Sequence, residues 1–212
     1  MTQLYTALLA SLMIAPFAAS IASAQDRFPA LPADKMTDVQ KKIVADIVAG
    51  PRGSFVGPFV VLLRSPELED RLQKVGEYLR YKAAIGRRNT EFVILITGRA
   101  WSQQFEWGQH APIAQKEGIE PEKIAAIAEG RRPANMTDDE DMLYNFADEL
   151  LRNKSVSEPT FARVKAKFGE QGVVDLTGLM GYYTTLAMIM NVAQTPGDTG
   201  APRLPILPTP VK

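Results

Sequence analysis

No cysteine occurs anywhere in the 212 residues, and there is a single histidine. The first absence excludes disulfides, thiolate metal sites and thiol catalysis. The second confines imidazole chemistry to His110. Neither sign of charge prevails, with 24 Lys+Arg against 24 Asp+Glu, so no basic field points to nucleic acid. There is no Gly-rich phosphate loop: Gly50, Gly53 and Gly57 punctuate one segment without a P-loop lysine. Gly-x-Ser-x-Gly and His-Glu-x-x-His motifs are also missing. A metal would have to be held by His110 and carboxylates alone, so neither a metal nor a cofactor is expected. What remains is an ordinary globular composition, 46% hydrophobic and 23% charged, at a length that suits one domain.

Charge is absent from the start of the chain. The first charged side chain is Asp26, and Leu4 to Ala19 is an apolar run. Ala22-Ser23-Ala24 then supplies an A-x-A cleavage pattern before Gln25, although no Lys or Arg precedes the apolar run. Pro16, Thr6, Ser11 and Ser20 argue against a membrane span. Residues 1–24 are therefore predicted to be a signal peptide. The mature protein is expected in the periplasm or outside the cell, soluble and free of the membrane once the leader is removed.

The apolar spacing downstream is helical throughout. Thr37 caps a helix with Val39, Ile43, Val44, Ile47 and Val48 inward, stopped at Gly50-Pro51. Ser65-Pro66-Glu67 opens another, with the stripe Leu68, Leu72, Val75 and Leu79 running to about Ala84. Asn89-Thr90-Glu91 opens a third, and Ser102 is expected to cap a fourth that carries Phe105 and His110, closed at Gly118. Pro121 starts the next, ending at Gly130; Thr137 to Glu140 reads as a capping box, and Ser157 as a further cap. Val173 to Ala193 is apolar on most sides, which predicts a central or interface helix. Val93-Ile94-Leu95-Ile96 is β-branched, but its flanks favour helix. Five of the fifteen prolines fall in 195–212, so that tail is extended. The expected fold is an all-α bundle of about seven helices over 25–194, followed by a Pro-rich tail.

Chemistry concentrates in EFVILITGRAWSQQFEWGQH, residues 91–110. Glu106 and His110 are four residues apart on one predicted helix and share a face. A carboxylate beside an imidazole fixes its tautomer and raises its pKa, which suits proton transfer. Trp101 and Trp107 could line the pocket, or be ordinary core or interface aromatics. Glu91 also has a helix-dipole role open to it, as an acid in a first turn.

The block RRNTEFVILITGRAWSQQFEWGQHAPIAQKEGIEPEKIAAIAEG, with GPRGSFVGPFVVLLRSPELEDRLQKVGEYLRY and GVVDLTGLMGYYTTLAMIMN, resembles the carboxymuconolactone decarboxylase and alkylhydroperoxidase D-like family. In the peroxidase branch a Glu is followed twelve residues on by the first Cys of Cys-x-x-Cys-x-x-x-His. Glu91 and His110 match that Glu and His, while Gln103 and Glu106 stand where the two thiols would be. The decarboxylase branch instead carries a Glu four residues before the His, as Glu106 does here. The resemblance implies an all-α fold assembled as trimers or hexamers. It implies carboxy-lyase chemistry on a small unsaturated lactone or carboxylic acid, with no thiol peroxidase activity. In that reading His110 is the acid or base, Glu106 orients it and Glu91 is a second proton relay. Arg99, Gln103, Trp101 and Trp107 contact the substrate, with Arg87 and Arg88 nearby. The alternative is a non-catalytic exported protein on the same fold that binds a small molecule or assembles with partners.

Overall fold

The computed structural model describes residues 26–197, 200 and 202–207. The predicted leader lies outside the described residues. Threonines start two helices in the expected way. Thr37 and Gln40 form a reciprocal capping box at α1 (Asp38–Ala49), and Thr137 and Glu140 form another at α7 (Asp138–Asn153). Proline occupies the first turn of α2 (Pro58–Leu62), α3 (Pro66–Tyr81) and α6 (Pro121–Ala128), where its missing N–H costs nothing. The remaining helices are α4 (Arg87–Ala100), α5 (Gln104–Lys116) and α8 (Glu158–Ala193). Among the described residues there are eight α-helices and no strand. The short α2 was not anticipated, and the segment that Ser157 opens runs on into Val173 to Ala193 as the single element α8.

The centre of the bundle is α4. Every residue from Thr90 to Arg99 is buried, and the helix packs against α5, α7 and α8. The β-branched run Val93 to Ile96 is helical because burial on all sides outweighs its intrinsic preference. Helix α8 bends at Gly169, whose φ of 69° no other residue adopts cheaply; this separates the Phe161–Phe168 segment from the long apolar one. The apolar segment is only half enclosed. Leu176, Leu179, Tyr183, Leu186 and Met190 face the core, while Val174 (69% exposed) and Val192 (64%) face outward.

Helix α3 is rotated relative to expectation. Its inward face is Glu69, Gln73, Gly76 and Leu79, and Leu68 and Val75 stand exposed. Gly76 sets this rotation, since a Cβ there would overlap the ring of Tyr182 on α8. Residues 202–207 of the Pro-rich segment form no helix and lie on the bundle. Gln104 bonds both the Pro202 carbonyl and the Leu204 N–H at 2.9 Å, and Arg99 Nη1 donates to the Pro205 carbonyl at 2.9 Å.

Candidate active site

Helix α4 carries Glu91 at its buried N-terminal half, and α5 crosses it carrying Glu106 and His110. The turn between them is tight: Ser102 has φ 49°, and Gln103 rather than Ser102 caps α5. Gln103 Oε1 accepts from the N–H groups of Phe105 (2.6 Å) and Glu106 (3.1 Å). This cap fixes where Glu106 enters the interior.

The carboxylate bonded to the imidazole is Glu91, not Glu106. His110 Nδ1 lies 2.6 Å from Glu91 Oε2. The other oxygen of Glu91 faces Arg87 Nη2 at 3.1 Å and Arg80 Nε at 3.4 Å. Glu91 is wholly buried, which pushes its carboxyl upward, but His110, Arg80 and Arg87 outweigh this and hold it below the ordinary carboxylate range. It is therefore the anion of the pair. Burial pushes the His110 imidazole below its ordinary value, helped by Arg80 and Arg87 and opposed by Glu91. A neutral ring facing an anionic acceptor must carry its proton on Nδ1, which leaves Nε2 as a base. The ring edge packs against Tyr183, 5.1 Å between centroids.

Glu106 is in the opposite condition. Both its oxygens are buried without a hydrogen-bond partner, and burial raises its carboxyl well above the ordinary range. Burial thus favours its protonated form, which makes it a proton donor in waiting. Sharing a helix face placed Glu106 and His110 on the same cavity without bonding them to each other.

That cavity, about 550 Å³ including its open mouth, is lined by Glu106, His110, Arg52, Arg80 and Tyr183 among apolar walls. Glu91 stands behind His110. The other residues expected at the substrate lie elsewhere. Arg99 donates to the carbonyls of Ala128 and Pro205 and to Ser102. Gln103 is spent on the cap and on Asn191. Trp101 Nε1 donates to Thr184, and Trp107 lines a separate cavity on the far side of α5, with Ala111 and Ile124. Arg87 reaches the site only through Glu91, and Arg88 pairs with Glu140 at 2.7 Å. Arg52 and Arg80 were not anticipated. Arg52 sits in the PRGSFVGP loop, and no local spacing links that loop to α5.

The site is thus an acid, a carboxylate-bound imidazole and two arginines in an all-helical, cysteine-free protein. No protein-family model matches the chain. No curated protein matches it either. Among solved structures it is similar to the alkylhydroperoxidase AhpD core of an uncharacterized peroxidase-related protein from Ralstonia eutropha. The identity is 15% and the TM-score 0.68, over 82% of this chain and 93% of that one. It is also similar to a protein of unknown function from Agrobacterium tumefaciens, put forward as an AhpD-type antioxidant defence protein. There the identity is 16% and the TM-score 0.58, over 65% of this chain and 95% of that one. The chain therefore has the AhpD fold.

Proposed function

We propose that the protein is a cofactor-independent, decarboxylase-like lyase that moves a proton on a small unsaturated lactone or carboxylic acid. The observation that carries this reading is the buried, unpartnered carboxyl of Glu106, raised by burial, on the same cavity as the Glu91-bound imidazole of His110. Two proton-active groups pushed toward opposite roles by their surroundings are what general acid-base catalysis needs. In the reaction the C–C bond to the departing carboxylate breaks and CO₂ leaves. The electron pair moves into the conjugated enolate, and Glu106 delivers a proton to carbon. His110 Nε2, with Glu91 and its arginines behind, then relays a solvent proton back.

One of the similar structures is described as peroxidase-related, but with no cysteine this chain has no thiol to become a sulfenic acid. The reading is tested by following the ultraviolet absorbance of carboxymuconolactone and simpler unsaturated lactones. Loss of substrate that depends on the protein, with CO₂ released from the acids, is expected. No turnover above the blank across that set would favour a non-catalytic binding protein.

Assembly belongs to the same proposal. Leu68 and Val75 on α3 and Val174, Met188 and Val192 on the adjacent α8 are all exposed apolar side chains, the kind of surface that usually marks an interface. Light scattering on the purified protein is expected to give a trimer or hexamer. A monomer at micromolar concentration would contradict it.

A further inference from the structure

Two groups in the wall of the cavity have unmet hydrogen-bonding capacity. One is the Glu106 carboxyl. The other is Arg52, whose Nε–H is buried and has no partner. The rest of the Arg52 guanidinium is held with care. Its Nη2 lies 3.2 Å from Tyr182 Oη and 3.5 Å from the Gln73 carbonyl oxygen, and its central carbon sits 4.7 Å from the Phe59 ring centroid. Gly76 makes this possible, because a Cβ at that position would collide with Tyr182 and with the tip of Arg52. Arg80, the other arginine of the cavity, is already committed to Glu91 and lies against Tyr81. Arg52 faces no carboxylate of its own chain in any ion pair among the described residues. The half-buried guanidinium thus keeps one buried N–H without a partner, which costs free energy, and an anionic oxygen of a ligand would relieve it.

We propose that Arg52 is the substrate anchor of this site, binding the carboxylate of a small acid whose flat, apolar body lies against Phe59, Phe105, Leu186 and Met190. The inference rests on the proton-transfer reading and deepens it by assigning the substrate class and the residue that selects it. A carboxylate seated on Arg52 holds the rest of the molecule in the cavity that Glu106 also lines. Burial favours the protonated form of Glu106, which does not repel the bound anion. Guanidinium suits the task better than an ammonium, since its plane is fixed by the Phe59 ring and by Tyr182.

The test is calorimetric titration of the full-length protein with benzoate and with benzamide, which has the same shape and no charge. Wild type is expected to favour benzoate. In Arg52→Gln the benzoate affinity should fall by about 10- to 100-fold, the worth of a charge-assisted hydrogen bond. Benzamide affinity should barely change. Arg52→Lys keeps the charge and loses the planar fork, and should fall by roughly 10-fold; it decides the matter if the Gln variant does not fold. Equal binding of benzoate and benzamide to wild type, or benzoate affinity unchanged in either variant, would overturn the anchor. The two readings fail separately. A loss of benzoate affinity in Arg52→Gln, with no turnover of any lactone by wild type, would sustain the anchor and sink the enzyme.

Discussion

Glu106→Gln should lower kcat by about 10²- to 10⁴-fold on the substrate that the lactone assay identifies, the range general acid catalysis contributes. Gln keeps the size of the side chain and removes the proton that the buried carboxyl holds. His110→Ala should cost a similar factor, because it removes the only imidazole in the chain. The pH profile distinguishes the two roles. Burial raises Glu106 well above the ordinary carboxylate range, so the protonated form outlasts that range and is lost as pH rises through the raised value. This sets the alkaline limb. Burial lowers His110, so the neutral ring persists below its ordinary pKa and is lost only as pH falls through the lowered value, which sets the acid limb. Glu91→Gln removes the neighbouring anion that favours the imidazolium and should move the acid limb to still lower pH. All three variants should keep the helical circular dichroism of the parent. Unchanged turnover in Glu106→Gln would remove the acid from the mechanism.

The second large effect concerns stability and a carboxyl outside the site. Glu69 on α3 is fully buried, neither oxygen has a hydrogen-bond partner, and burial pushes its carboxyl up to about 8. In the unfolded chain the same group titrates near 4.5. Between those values the folded state holds a proton that the unfolded state releases, so stability falls as pH rises through the window and levels off above it. At 1.36 kcal/mol per pH unit, discounted for residual screening, the loss is about 2–4 kcal/mol. Glu69→Gln cannot ionise and should abolish this component. Urea unfolding at pH 5.5 and pH 9 should give wild type a clear loss of midpoint and the variant a much smaller one. Parallel changes in both proteins would show that Glu69 is not the source.

The two findings differ in how far the sequence foretold them. Helix starts were legible because their chemistry is local: Thr37 with Gln40 and Thr137 with Glu140 lie three residues apart. The orientation of α3 was not legible. Leu68 and Val75 have the spacing of a buried stripe, but the face used is chosen by a close approach to Tyr182 that only Gly76 permits. Within the site, Glu106 and His110 could be paired by helical spacing, which says that they share a face and nothing about bonding. The bond goes to Glu91, nineteen residues away on another helix. Arg99, Gln103, Trp101 and Trp107 were close in sequence to that pair, but the turn at Ser102 and the cap at Gln103 direct them elsewhere. Arg52 meets Tyr182 across 130 residues, a contact no local pattern encodes.

The central claim is that Glu106 stands protonated at neutral pH inside the cavity. Difference infrared spectroscopy between wild type and Glu106→Gln at pH 7 tests it most directly. The account requires a protonated-carboxyl C=O stretch that is present in wild type, absent in the variant, and lost from wild type only as pH is raised well above the ordinary carboxylate range. A difference spectrum showing ionised-carboxylate bands for Glu106 at pH 7 would contradict it.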